Sequence, residues 1–123
     1  MPTLEVCVDT HAGVMACVDG GADRIELCAA LALGGLTPSV GLMQMAAKCG
    51  VPTVAMVRPR AGGFAYSRDE IESMSAEIAA ARDCGLDGVV CGASTPDGVL
   101  DMDALRVLRT ACGAMPMTLH RVV

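Results

Sequence analysis

Five times along the chain a short apolar, β-prone run gives way to turn residues and then to a helical segment, and this alternation constrains the fold more than any other feature. The runs are Leu4–Val8, Arg24–Cys28, Thr53–Val57, Gly88–Cys91 and Met117–His120. They begin near residues 4, 24, 53, 88 and 117, a mean spacing of about 28 residues, close to the roughly 31 per unit of a 250-residue (β/α) barrel. Strands that alternate with helices point to a parallel sheet covered by helices. An open doubly wound sheet would call for a glycine-rich phosphate loop after the first strand, and Cys7-Val8-Asp9-Thr10-His11 is not one. The expected architecture is therefore α/β, a parallel TIM-barrel-like fold that stops after about five strands.

The helix boundaries carry their own signals. Asp9 or Thr10 caps a first helix that stops at Gly20-Gly21, and Thr37-Pro38 opens a second, with Pro at the first helical position, ending at Gly50. Ser67 and Glu70 form a capping box for a third helix that ends at Gly85. Thr95-Pro96-Asp97-Gly98 reads as a turn, and Asp101 caps a fourth helix running to Gly113. Residues 33–36 and 61–66 read as loops. No linker or second domain is visible, so residues 1–123 are read as one unit. Five units cannot close an eight-stranded barrel. Strands one and five are then edges, which a longer protein or a second copy of the chain, a homo-oligomer, would cover.

The core must be built without large rings: 53% of residues are apolar, but only 2% are aromatic, with one Phe, one Tyr and no Trp. Val, Leu, Ile, Ala and Met suit a buried β/α interior. The formal charge of −5, with no stripe of Lys and Arg, argues against nucleic acid and against an anionic membrane surface as partners. The N-terminus lacks a basic segment followed by a long apolar one, and no apolar run reaches the roughly 18 residues that span a bilayer. A cytoplasmic location is expected. The seven cysteines include no CxxC pair, and without a secretory signal they read as free thiols rather than a disulfide framework.

Side chains alternate between the two faces of a strand. Leu4, Val6 and Val8 share one face of the first strand with Glu5, Cys7 and Asp9 on the other; Ile25 and Leu27 oppose Arg24, Glu26 and Cys28 on the second. Met56 and Arg58 share a face of the third, and Thr118 and His120 one of the fifth. If the apolar faces meet the helices, the barrel interior holds Glu5, Cys7, Glu26, Cys28, Arg58 and His120. Burying so many charges is expensive unless they are paired or used, and barrel enzymes place their chemistry at the carboxyl ends of strands. A self-satisfied Glu–Arg–His network that only supports the fold is the plain structural alternative.

Two chemistries follow. Cys7 and Cys28 end adjacent strands about 4.8 Å apart, and soft thiolates select Cu(I) or Zn(II) over Mg or Ca. Two ligands are too few for a closed zinc site, so a low-coordinate Cu(I) site is the better match. Alternatively, Glu5, Glu26 and His120 are acid/base candidates and Arg58 a holder of an anionic group in an enzyme acting on a small molecule. Cys17, Cys49, Cys84 and Cys112 fall on or near helices and read as packing; Cys91 ends too short a run for its face to be read. His11 reads as a solvated loop histidine.

At these residues the sequence resembles the CutC family of copper homeostasis proteins. The matching stretches are Leu4-Glu5-Val6-Cys7-Val8-Asp9, Gly20-Gly21-Ala22-Asp23-Arg24-Ile25-Glu26-Leu27-Cys28, Leu33-Gly34-Gly35-Leu36-Thr37-Pro38-Ser39, Val57-Arg58-Pro59-Arg60, Asp87-Gly88-Val89-Val90, Thr95-Pro96-Asp97-Gly98 and His120-Arg121. They span nearly the whole chain in order. The resemblance implies a TIM-barrel-like fold, a cytoplasmic protein that handles copper, and Cys7 and Cys28 as Cu(I) ligands. The sequence departs from the family pattern at Gly63, often Asp, at Cys91, often Phe, and after Arg121, where Val122-Val123 replaces Ala-Phe-Asp.

Overall fold

The computed structural model describes residues 2–120. Five parallel strands, β1 (Glu5–Val8), β2 (Arg24–Leu27), β3 (Thr53–Met56), β4 (Gly88–Cys91) and β5 (Met117–Leu119), lie side by side in chain order. Four helices connect them: α1 (His11–Gly20), α2 (Val40–Ala47), α3 (Arg68–Cys84) and α4 (Met102–Cys112). This is the expected α/β arrangement, an open arc of a (β/α) barrel. The arc does not close.

The helices begin where side chains can satisfy their unpaired amides. The Thr10 hydroxyl accepts from Gly13 N at 2.9 Å, Ser67 and Glu70 complete both halves of the capping box, and Asp101 accepts from Ala104 N at 3.0 Å. Gly21 and Gly85 then end α1 and α3 at φ of 78° and 85°, a region an L side chain rarely enters. The second helix differs from expectation. Pro38 is not its first residue: Ser39 caps it and the helix begins at Val40. Pro38 is instead buried in the approach, and the Ser39 hydroxyl accepts from the Leu42 amide at 3.1 Å. The loop preceding it also contains a single 3-10 turn, Leu31–Leu33, that the sequence reading missed.

The main core lies between sheet and helices. Val8, Ile25, Leu27, Ala55, Val57, Val89 and Cys91 face Val14, Met43, Met74, Ile78 and Leu108. The other face carries a much smaller cluster, Cys28, Val54, Met56 and Val90 with Leu31 against it. The predicted alternation therefore holds on β1, β2 and β3. Cys91 falls on the helix side, with Val89, and is not a lumen residue. Gly88 is small because β5 comes close: a Cβ there would stand 3.0 Å from the Pro116 carbonyl oxygen.

Candidate functional site

The register decides which lumen residues meet. Cys7 lies opposite Glu26, and Val8 opposite Leu27. Cys28 continues the ladder, its amide donating to the Val8 carbonyl at 2.9 Å. Cys7 and Cys28 thus share the inner face as a diagonal pair, one step apart, with Glu26 directly across from Cys7. The Cys7 thiol donates to Glu26 Oε2 at 3.3 Å, and the Cys28 thiol leans on the Glu26 carbonyl at 3.9 Å.

Both thiols are held in the neutral form. Partial burial, then the Glu26 carboxylate, then Glu5, pushes the Cys7 thiol up to about 11. Deeper burial, with Glu26, Cys7 and Asp9 adding like charge, pushes Cys28 up to about 12. Burial first, and then repulsion between the thiolates and the nearby carboxylates, explains the direction. The two differ in access: Cys7 is exposed, whereas Cys28 is 1% exposed. Among the described residues no three His, Cys, Asp or Glu side chains converge as a metal cluster.

Beside the thiols, at the carboxyl ends of β2, β3 and β5, a cavity of about 210 Å³ is lined by Glu26, Gly34, Met56, Arg58, Phe64 and His120. The single phenylalanine is a wall of this cavity. Its ring centroid is 4.9 Å from that of His120, and the Arg58 guanidinium carbon lies 5.3 Å from it, within cation–π range. Arg58 is 6% exposed. Its Nη1 donates to the Leu33 and Gly35 carbonyls at 2.9 and 3.4 Å and its Nη2 to the Gly62 carbonyl at 3.1 Å, while Nε has no partner among the described residues. Most of the fork therefore holds loops rather than facing open space.

Of the six lumen residues read from the sequence, the structure brings Glu26, Arg58 and His120 into one cavity and sets Cys7 and Cys28 beside Glu26. Glu5 stands apart. It begins β1, at the amino end of the barrel, and is paired with Arg24, so the expectation that all six gather toward the carboxyl ends does not hold for it. Sequence reasoning missed Phe64 and Gly34, which reach the cavity from loops. The one available signal was that Phe64 is the only phenylalanine in the chain.

A model of the CutC family matches residues 2–123. This chain belongs to the CutC family. A CutC family protein of Agrobacterium fabrum is 58% identical over 96% of this chain and 47% of its own length, and one of Rhizobium meliloti is 57% identical over 97% and 49%. A crystal structure of the Streptococcus agalactiae protein named CutC, for copper homeostasis, superposes with a TM-score of 0.93 at 30% identity, covering 99% of this chain and 60% of that one. The chain thus spans about half the length of the curated relatives it matches. Among its described residues no helix is long and apolar enough to cross a membrane.

Proposed function

We propose that this CutC chain takes Cu(I) as cargo, with Cys7 and Cys28 as its two thiolate ligands. One observation carries the reading: two soft donors share the inner face of adjacent strands, on either side of one carboxylate-bearing residue. A diagonal step across neighbouring strands, about 4.8 Å sideways and about 6.6 Å along, separates the Cα atoms by about 8 Å. That exceeds the roughly 7 Å limit for a disulfide but leaves room for an ion between two sulfurs. Such a pair suits a metal that accepts low coordination and favours soft ligands. Both thiols must lose protons to bind, so affinity rises with pH, and the cytoplasm, where thiols stay reduced, is the fitting compartment.

The test is a Cu(I) titration of the reduced protein against a competing chelator at pH 6.5 and 8, with Cys7→Ser, Cys28→Ser and the double variant. Each single variant weakens binding and the double variant abolishes it. An unchanged affinity in the double variant overturns the assignment.

The cavity favours a second reading, a small-molecule enzyme. Glu26 and His120 would act as acid and base and Arg58 would orient an anionic group; Glu5 lies outside the cavity lining, so it drops to a supporting place in this reading. A metabolite-binding screen on a longer relative, with Glu26→Gln and His120→Gln as controls, checks it. A ligand whose binding is indifferent to both substitutions counts against it.

A further inference from the structure

The segment between β2 and α2 does more than connect them. Ala29 and Leu36 close its neck through a pair of backbone hydrogen bonds, 2.8 and 2.7 Å. Within it the chain makes the 3-10 turn, enters through Ala30 at φ 48° and leaves through Gly34 and Gly35 at 90° and 93°. Ala30 is the one non-glycine residue with positive φ among those described, a conformation with an intrinsic cost that the surrounding contacts must offset. The loop sits directly on the Cys28 thiol. A Cβ placed on Gly35 would lie 3.3 Å from Cys28 Sγ, and Leu31 packs on the small lumen cluster that contains Cys28.

Two side chains from other strands hold the loop down. From the end of β1, Asp9 Oδ2 accepts the Leu31 amide at 3.1 Å. From just past β3, Arg58 donates to the Leu33 and Gly35 carbonyls. Arg58 also exchanges backbone and side-chain bonds with Thr37, where the loop exits, at 3.1 and 2.9 Å.

We propose that residues 29–36 form a strap that seals the Cys28 thiol, with Arg58 and Asp9 as its pins, so that the two thiols are presented in sequence: Cys7 open to an incoming ion and Cys28 reached only when the strap lifts. The last clause rests on the copper reading; the strap itself does not. Its opening is a local event, governed by a few charge-assisted hydrogen bonds rather than by global unfolding. Arg58 is then a positioning residue, acting on Cys28 through the strap.

The experiment is thiol alkylation of the metal-free 123-residue chain by N-ethylmaleimide, read cysteine by cysteine from peptide masses. Cys7 is modified quickly and Cys28 slowly. In Arg58→Met, Cys28 reacts roughly 10- to 100-fold faster, the factor expected for losing hydrogen bonds to a charged group, while Cys91 and Cys112, buried on the helix side, keep their protection. Loss of a cation would by itself disfavour the thiolate and slow the reaction, so acceleration reports opening. If Arg58→Met does not fold, Asp9→Ala and Asp9→Asn decide. Both remove the charge, but only Asn keeps an acceptor for the Leu31 amide, so only Ala frees Cys28. Equal rates in the two Asp9 variants, or Cys28 and Cys91 accelerating in step, overturn the strap. Because no copper is used, failure here is distinct from failure of the copper titration.

Discussion

The two faces of the same five strands obey different rules. On the central strands the helix-facing side is mostly apolar and covered: Ile25, Leu27, Ala55 and Val57 are each 0% exposed. The lumen side carries Cys7, Glu26, Arg58 and His120 around only four buried apolar residues. Both faces come from one alternation in the sequence, yet one is filled with branched aliphatics and the other with groups that cost free energy to bury. The contrast teaches where stability and chemistry reside. The helix side supplies cohesion, and that frees the lumen to hold charged groups and a cavity.

The comparison breaks most visibly by truncation. Ile25→Ala on the helix side, surrounded on every side, should cost in the upper part of the ~2–5 kcal/mol range for such deletions, whereas Met56→Ala, which already borders the cavity, should cost about 2 kcal/mol or less. Urea unfolding of both variants checks this, and equal losses would erase the distinction. Alkali is the next largest lever. Cys7, Cys28 and Cys91 titrate in the folded chain near 11, 12 and 12, against an ordinary value of 9.0. The folded state holds these protons more tightly than the unfolded one, so stability is intact below pH 9 and falls as pH rises from about 9 to 12. Thermal unfolding midpoints across that window should decline, and less steeply in Cys91→Ala if that variant is compared with its own neutral-pH midpoint.

Smaller effects sharpen the picture. Ser67→Ala removes both the cap of α3 and one half of its capping box, and should cost about 1 kcal/mol by urea unfolding without altering alkylation of Cys7 or Cys28. Smallest in stability is Glu26→Gln, expected within about 0.5 kcal/mol as a half-exposed change. Its signature is chemical. Removing the carboxylate across from Cys7 lowers that thiol's pKa from about 11, so the pH at which Cys7 becomes reactive toward iodoacetamide should move down. An unmoved profile would show that burial alone governs the thiol.

Much of this could be read along the chain. The period-two pattern of Glu5-Val6-Cys7-Val8 and of Arg24-Ile25-Glu26-Leu27 already assigned each side chain to a face, and the Ser67–Glu70 box fixed the start of α3. Cys91 could not be assigned, because a run as apolar on both faces as Gly88-Val89-Val90-Cys91 carries no alternation. The opening of α2 was misplaced because Pro38 and Ser39 are both good start signals, and burial of the proline ring against the fold decided for the serine. Phe64 and Gly34 lie in loops, where no period exists.

Local pattern, then, is enough to determine that this chain makes parallel strands with a charged inner face, since steric alternation and capping act over a few residues. Which of those inner groups meet was left to the tertiary structure. Register set Glu26 opposite Cys7 and moved Glu5 to the far end with Arg24, and the 29–36 segment closed over Cys28 while leaving Cys7 open. The register contacts join residues 19 positions apart, and the pins of the strap, Asp9 to Leu31 and Arg58 to Leu33, join residues 22 and 25 apart, through hydrogen bonds that exist only once the strands have aligned.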